Sequence, residues 1–239
     1  MKLIEATVLI AEDEPELLEI FAVWLRRSGC KVFTAANGAE ALRVLETERV
    51  DALISDVRMP IVDGVTLVRR IYELGLTIPC ILFISGFGDV DPREMYALGV
   101  ERMIEKPLRR LDLIAALERS LMEREELWLT PMPELAAHKI SIAIEGLDEA
   151  TRSRGFKLGR GGCCFLSPQP LAVEETVELS IRVSGEELTV RAMGEVRWYC
   201  AADRWAGMEF FYLEPEGRSW VTDRIRSGTT RGYIPGLRA

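Results

Sequence analysis

Short apolar segments alternate with amphipathic segments along the first half of the chain. In the first amphipathic segment, Leu17, Phe21 and Trp24 recur at the spacing of one helical face. The apolar segments are TVLIA, KVFTA, VDALIS, PCILFIS and RMIE, and the amphipathic segments begin at Pro15, Gly38, Gly64, Asp91 and Arg110. Because strands that alternate with helices form parallel sheets covered on both faces, the pattern predicts a doubly wound α/β domain with a five-stranded parallel sheet.

The hydrophobic period changes in the second half of the chain. Pro131 and Pro133 cannot continue a helix and predict a linker at 127–137. Apolar and polar residues then alternate, which predicts an antiparallel sheet or small barrel with one buried face, followed by a short helix at about 215–225. The predicted organisation is a first domain at 1–126, the linker at 127–137, a second domain at 138–227 and a frayed tail at 228–239.

The composition is that of a folded protein, with 48% hydrophobic and 28% charged residues and a mean hydropathy of +0.07. No apolar run approaches the roughly 18 residues of a membrane-spanning helix, and acidic residues follow the start too early for a secretory signal. Five cysteines without a C-x-x-C pair, together with one histidine, argue against structural zinc. We therefore expect a cytoplasmic protein with reduced thiols and no membrane insertion.

The net charge of −8 is unevenly distributed. Residues 1–126 carry 16 basic and 23 acidic side chains, net −7, whereas residues 127–239 carry 14 and 15, net −1. Neither half has the basic balance of a nucleic-acid-binding domain, and an acidic first half repels a phosphate backbone. We expect no direct binding to DNA.

Chemically capable side chains follow four of the predicted parallel strands. They are Glu12 and Asp13, Asp56, Ser85, and Lys106. In an open parallel sheet these strand ends meet at one edge, where functional groups collect. Three converging carboxylates repel one another unless a cation lies among them, and hard oxygen ligands suit Mg²⁺. The sequence thus predicts a magnesium site, with Lys106 placed to contact a phosphoryl group.

The segments VLIAEDEPE, LISDVRMPIVDG and ILFISGFGD and the pair Lys106-Pro107 resemble the receiver domain of bacterial two-component response regulators, over about residues 5–124. The resemblance implies a flavodoxin-like fold and a Mg²⁺ cofactor. It implies Asp56 as phosphoacceptor, Ser85 as switch hydroxyl, Lys106 as phosphoryl-binding lysine, and Glu12, Asp13, Asp56 and the backbone carbonyl of Arg58 as metal ligands. A receiver that keeps the fold without the chemistry is the alternative, although every catalytic residue type is present.

One position departs from the receiver pattern. Three residues before the lysine, the family usually has a Tyr or Phe that swings inward on phosphorylation, whereas this chain has Met103. A flexible thioether can fill a pocket but presents a softer surface to a partner. Met103 is therefore either a switch residue or a plain core residue.

The second half resembles a PilZ domain over about residues 135–227, through FKLGRGGCCFLSPQPL, GEVRWYC and RWAGMEFFYL. The resemblance implies an antiparallel six-stranded β-barrel that in many bacterial proteins binds cyclic di-GMP. This chain lacks the R-x-x-x-R pair and most of the D/N-x-S-x-x-G motif, since Lys157 and Gly159 replace the aspartate and serine and only Gly162 remains. We therefore expect weak or no binding of cyclic di-GMP, because a lysine cannot reproduce the bidentate grip of arginine on phosphate.

A basic cluster remains in this region: Arg152, Arg154, Lys157 and Arg160. With Gly159, Gly161 and Gly162 beside it, the cluster is a candidate ligand-binding site for an anion, because glycine lets backbone amides approach a phosphate. The simpler interpretation, which we favour, is a solvated basic loop or a contact surface for a protein.

An independent enzyme is the weakest hypothesis. Cys163 and Cys164 with His138 suggest a nucleophile and base, but neighbouring residues of a strand point to opposite faces and no third orienting group is evident. Buried structural thiols explain the two cysteines better. The tryptophans are likewise expected to pack a small core rather than form a stacking platform.

The sequence thus favours a two-component response regulator, which a sensor histidine kinase phosphorylates on Asp56. Its PilZ-like output domain would act through contacts with a downstream protein that the sequence does not identify, and a homodimer through the receiver is a further candidate. The alternative is a cyclic di-GMP-binding PilZ effector that the receiver modulates. Titration with the nucleotide separates the two hypotheses.

Overall fold

A computed structural model describes residues 3–76, 78, 80–86, 90–129, 136–145, 147, 152–153, 155–185, 187–227 and 232–236. Backbone contacts divide the chain into two units. The first unit comprises Met1–Asp91 and Val100–Met122, and the second comprises Pro92–Gly99 and Glu123–Ala239. Among the described residues, no helix combines the length and the apolar character needed to cross a membrane.

The first unit is built on a parallel sheet. Its strands are β1 (Thr7–Ala11), β2 (Lys31–Ala35), β3 (Ala52–Asp56), β4 (Cys80–Ser85) and β5 (Arg102–Glu105), and its helices are α1 (Pro15–Arg27), α2 (Gly38–Thr47), α3 (Gly64–Glu73) and α5 (Arg110–Leu121). The strand order is β2-β1-β3-β4-β5, and every pairing is parallel. The predicted five-stranded parallel α/β sheet is confirmed. Helix α4 (Pro92–Leu98) follows β4 in the chain but belongs to the second unit by its backbone contacts.

Burial explains why these segments form strands. Every residue of β3 and β4 is buried, as expected for central strands that are covered on both faces. Helix starts are set by local caps: the side chain of Asn37 accepts a hydrogen bond from the backbone NH of Glu40, and Asp63 accepts one from that of Thr66 at 2.6 Å. Both caps directly precede a helix that the sequence pattern places at the observed first residue.

The second unit is rich in β-structure. Its strands are β6 (His138–Ile144), β7 (Arg152–Ser153), β8 (Phe156–Leu158), β9 (Gly162–Leu166), β10 (Thr176–Val183), β11 (Thr189–Cys200) and β12 (Trp205–Leu213), with helices α6 (Arg124–Leu127) and α7 (Pro215–Ser227). They form one seven-stranded sheet in the order β6-β10-β11-β12-β9-β8-β7. Alternate residues of β10 are buried, as the period of two predicts.

This sheet is mixed, which corrects the expectation of an antiparallel six-stranded barrel. Strand β6 pairs with β10 in parallel, with Ile140 opposite Leu179, while the other pairings are antiparallel. The chain between β6 and β10 contains three further strands, so the two are joined by a long crossover and not by a hairpin. Periodicity along one strand carries no information about the direction of its partner.

The core of the second unit includes residues that the sequence analysis placed at its margins. Trp128 is buried and packs edge-on against Phe210, at 6.2 Å between ring centroids. It lies at the start of the predicted linker, of which residues 130–135 lie outside the described part of the chain. Tyr233 and Ile234, in the segment expected to be frayed, are also buried, so this part of the tail is packed.

Candidate metal and phosphoacceptor site

The carboxyl ends of four parallel strands carry the candidate site. Glu12 and Asp13 directly follow β1, Asp56 ends β3, Ser85 ends β4 and Lys106 follows β5. Parallel pairing puts these ends at one edge of the sheet, with Asp56 beside Ile84 and Ser85 beside Glu105. The predicted edge location thus follows from the register alone.

Three carboxylates converge at this edge. One oxygen from each of Glu12, Asp13 and Asp56 lies within 4.8 Å of the others. The side chains of Glu12 and Asp56 are buried. Three carboxylates gathered in this way repel one another, and buried ionised groups need a compensating positive charge. This donor set consists of hard oxygens, so the residues fit Mg²⁺.

Lys106 is the cation that the chain itself places among these groups. Its Nζ donates a hydrogen bond to Asp56 Oδ2, lies 3.0 Å from Glu12 Oε2 and reaches Glu14 Oε1 at 3.7 Å. Burial lowers the pKa of Lys106, but hydrogen bonds to Asp56 and Glu12 outweigh it and leave the pKa raised. The ammonium group therefore stays charged at neutral pH and holds Asp56 in place.

Glu12 has the most perturbed carboxyl group of the cluster. Burial raises its pKa from 4.5 to about 7, a hydrogen bond from Lys106 opposes the rise, and the charge of Asp56 adds to it. Near pH 7 the group therefore takes up or releases a proton readily. A divalent cation at this position would favour the ionised form of Glu12, because it would add positive charge to a cluster in which one lysine faces several carboxylates.

Backbone geometry fixes the orientation of Asp56. The backbone NH of Arg58 donates to Asp56 Oδ1 at 3.0 Å, while the side chain of Arg58 is exposed. Gly64 packs so closely that a Cβ there would lie 2.3 Å from the carbonyl oxygen of Asp56. A side chain at position 64 would therefore displace the strand end that carries Asp56.

Ser85 and Lys106 are linked through the main chain. The backbone NH of Lys106 donates to the carbonyl oxygen of Ser85 at 2.9 Å, and the peptide bond between Lys106 and Pro107 is cis. The side chain of Ser85 is buried. Met103 lies opposite Phe83 in the sheet and is half-buried, so it contributes to the packing of β5.

The second predicted site is arranged differently. Lys157 Nζ donates to the carbonyl oxygen of Gly236 at 3.1 Å, and Arg160 Nη2 donates to that of Gly99, also at 3.1 Å. For Arg152 the structure describes only the backbone, which pairs with Lys157, and Arg154 lies outside the described residues. The two described cations of this cluster thus bind main-chain carbonyls.

The vicinal cysteines lie in the core of the second unit. Burial raises the pKa of Cys163, and raises that of Cys164 to about 12. His138 Nε2 lies 3.3 Å from a carboxylate oxygen of Glu175. A thiol with so high a pKa is a poor nucleophile, which supports the interpretation of both cysteines as structural.

Two neighbours of the site escaped the sequence reasoning. Glu14 is exposed and contacts Lys106, and Gly64 packs against Asp56. Both lie inside the segments that carry the receiver resemblance. The signal for Gly64 was its position directly after the helix cap Asp63, but the close approach to Asp56 is visible only in three dimensions.

The geometry at the edge of the first sheet agrees with a comparison against protein families. The family described as "Response regulator receiver domain" matches residues 8–118. Apart from Thr7, that range contains all five parallel strands, and it contains every residue of the candidate metal and phosphoacceptor site. The chain belongs to the response regulators, with its receiver domain in the first half.

Individual relatives are similar over different lengths. Response regulator GtcR of Aneurinibacillus migulanus is 32% identical over 118 residues, 48% of this chain and 47% of that protein. Transcriptional regulatory protein CutR of Streptomyces coelicolor is 31% identical over 191 residues, 79% of this chain and 82% of that protein. The chain thus spans about half the length of GtcR.

A solved structure of a response regulator receiver domain protein from Clostridium thermocellum is also similar. It is 27% identical, with a TM-score of 0.46, and the match covers 52% of this chain and 98% of that one.

Proposed function

We propose that this protein is a two-component response regulator that accepts a phosphoryl group from a sensor histidine kinase on Asp56. The observation that supports the proposal most strongly is the convergence of Glu12, Asp13 and Asp56 within 4.8 Å beside Lys106. A structural ion pair does not need three carboxylates, whereas phosphoryl transfer needs a metal site next to the acceptor.

The transfer is a displacement at phosphorus. A carboxylate oxygen of Asp56 forms a bond to phosphorus while the bond from phosphorus to the histidine nitrogen of the kinase breaks, so the electron pair leaves with the imidazole. Mg²⁺, held by Glu12, Asp13, Asp56 and the carbonyl of Arg58, would neutralise charge on the phosphoryl oxygens. Lys106 is placed to contact the same oxygens, since it already touches Asp56.

Phosphorylation with labelled acetyl phosphate or a phosphorylated kinase, in the presence of Mg²⁺, tests this proposal. We expect Asp56→Asn to lose the label, because an amide cannot form the acyl phosphate, and Asp13→Asn to lose most of it. Asp112→Asn is the matched control, since Asp112 pairs with Arg109 on an exposed helix start. Label that persists on Asp56→Asn would place the acceptor elsewhere.

The second unit is proposed as a PilZ-like output domain that acts through contacts with a downstream protein. The two described cations of its basic cluster, Lys157 and Arg160, donate to main-chain carbonyls, which supports weak binding of anionic ligands. The acidic net charge supports an output without direct DNA contact. The only chemistry in this proposal is the receiver's own phosphoryl transfer and dephosphorylation.

The alternative output is binding of cyclic di-GMP. Calorimetry of the full chain at physiological salt separates the two. Losing two charge-assisted contacts costs roughly 3 to 6 kcal/mol of binding free energy. Relative to a site of about micromolar affinity, that loss gives a dissociation constant on the order of 100 μM or weaker. Saturable binding at about 10 μM or tighter would favour the ligand-binding alternative.

A further inference from the structure

A short segment near the end of the chain is packed as tightly as a core strand. Residues Gly232–Gly236, here called the C-terminal strap, belong to the second unit, and Tyr233 and Ile234 are 3% and 0% exposed. Ile234 packs in one apolar cluster with Cys164 and Trp198. The strap is therefore a structural part of the second unit.

The strap lies on the glycine loop Gly159–Gly162. The backbone NH of Arg160 donates to the carbonyl oxygen of Gly232 at 3.0 Å, and that of Gly161 donates to the carbonyl oxygen of Tyr233 at 2.9 Å. Lys157 Nζ donates to the carbonyl oxygen of Gly236. Three carbonyl oxygens of the strap thus accept hydrogen bonds from the backbone NH groups of Arg160 and Gly161 and from the side chain of Lys157.

Those donors are of the kind that bind phosphate oxygens. Adjacent backbone NH groups in a glycine-rich turn form anion-binding concavities in many proteins. Lys157, in the strand that leads into the loop, adds a positive charge to the same segment. The loop also packs against the strap too closely for a side chain at two of its glycines. A Cβ at Gly159 would lie 2.6 Å from the Tyr233 carbonyl oxygen, and one at Gly161 would lie 2.1 Å from the Tyr233 ring. The strap therefore occupies the space that a ligand would need.

Tyr233 anchors the strap. Its hydroxyl donates to Glu209 Oε1 at 2.8 Å, and Glu209 is itself buried and bound to Arg197 at 2.7 Å. The backbone NH of Tyr233 donates to the carbonyl oxygen of Tyr96 at 2.8 Å, and the two rings stack at 6.3 Å between centroids. Removing the Tyr233 side chain would remove the hydroxyl anchor and the ring contact together.

We propose that the C-terminal strap is an intramolecular occupant of a phosphate-accepting loop. It withholds the donors of Lys157, Arg160 and Gly161 from phosphate-bearing ligands, and such ligands bind there only when the strap is released. The proposal concerns the second unit alone and does not depend on the phosphorylation of Asp56, so either can fail without the other.

Calorimetry with two probes, inorganic pyrophosphate and cyclic di-GMP, tests the proposal on the full chain, on Tyr233→Ala and on a chain ending at Ser227. We expect the parent to show no saturable binding. Both strap variants should bind at least one probe saturably, with a dissociation constant about tenfold or more below the lower limit that the parent isotherm sets. Lys157→Gln in the Tyr233→Ala background should reverse the gain. Tyr72→Ala, in helix α3 of the first unit, is the matched control and should bind as the parent does.

Hydrogen exchange gives a second measurement that does not depend on the probe. The amides of Arg160 and Gly161 should be protected in the parent and exchange faster in Tyr233→Ala, while those of strand β11 keep their protection. The proposal is overturned if these two amides keep their protection in Tyr233→Ala. It is also overturned if the strap variants keep β11 protected yet bind neither probe, or if the parent binds as tightly as they do. If the shortened chain loses β11 protection, the outcome for Tyr233→Ala decides.

Discussion

Each unit contains a buried cluster in which carboxylates share one cation, and the two clusters differ in how well they are satisfied. In the second unit, Arg197 pairs with both Glu195 and Glu209, and the Tyr233 hydroxyl adds a further donor to Glu209. In the first unit, Lys106 pairs with Glu12 and Asp56, and a third carboxylate, that of Asp13, lies in the same cluster.

This difference in charge balance separates a functional site from a structural ion pair. A guanidinium presents five donors in a rigid plane, whereas an ammonium presents three and is a point charge. The Arg197 cluster is therefore satisfied by the chain itself. The Lys106 cluster sets three carboxylates against one ammonium group, and a bound Mg²⁺ would balance that excess of negative charge.

The largest expected effect comes from removing the cation of the Arg197 cluster. Arg197→Met leaves the buried carboxylate of Glu209 and the half-buried carboxylate of Glu195 without their cation, and we expect the free energy of unfolding of the second unit to fall by about 3 to 5 kcal/mol. Exchange of the amides of β11 and β12 measures it. Lys106→Met is the matched change in the first unit. We expect Mg²⁺ at about 10 mM, an excess over a weak site, to restore much of the stability that Lys106→Met loses. The same Mg²⁺ should restore none of the stability that Arg197→Met loses. Equal responses to Mg²⁺ would contradict the comparison.

Two glycines, one in each unit, test how tightly the backbone is packed. Gly64→Ala brings a Cβ to 2.3 Å from the Asp56 carbonyl oxygen, and Gly161→Ala brings one to 2.1 Å from the Tyr233 ring. We expect each to destabilise its own unit by about 1 to 3 kcal/mol, because overpacking moves the backbone. Only Gly64→Ala should also slow phosphorylation. Gly75→Ala, with nothing within 4 Å but a φ of +70°, is the control for backbone strain alone.

A smaller effect concerns the pH dependence of stability without metal. The pKa of Glu12 is about 7 in the folded protein against 4.5 without burial, so the folded state binds this proton more tightly. The protonated group stabilises the first unit fully below pH 4.5, and that contribution is lost as the pH rises to about 7. After allowance for solvent screening, we expect about 1 kcal/mol.

Glu12→Gln should remove this contribution to the pH dependence, whereas Glu14→Gln, an exposed neighbour of Lys106, should keep it. The measurement is the free energy of unfolding from amide exchange in β1 and β3 between pH 5 and pH 8, a range of roughly 3 units around the shifted pKa. Curves of the same slope for the parent and Glu12→Gln would refute the assignment.

The smallest expected effect concerns the thiols of the second unit. Burial raises the pKa of Cys163 and Cys164, whereas Cys200 is partly exposed near Asp203. We therefore expect iodoacetamide at pH 8, about half a unit below an ordinary thiol pKa, to label Cys200 first in the folded chain. Peptide mass spectrometry reads out the order. Rapid labelling of Cys164 would reopen the nucleophile hypothesis.

Local pattern was enough to predict the first unit. Helices α1, α2, α3 and α5 begin at the residues that the pattern indicated, and the polar residues after the apolar strands lie at one edge. Parallel topology converts strand order into spatial proximity, so the convergence of Glu12, Asp13 and Asp56 follows once the strands are placed. The close approach of Gly64 to Asp56 did not follow, because it depends on how a loop folds back.

In the second unit, long-range contacts set the strand direction and the packing of the tail. Alternation predicted strands with one buried face but not the parallel pairing of β6 with β10, since direction depends on a long crossover. The polar residues of the tail suggested fraying, yet Tyr233 is buried through contacts with Glu209, Gly161 and Tyr96, each more than 20 positions away in the chain. Periodicity and the residue types at strand ends are local properties, so they could be predicted before the fold was known. The partners of Lys157, Arg160 and Tyr233 were decided by long-range packing, which no local pattern encodes.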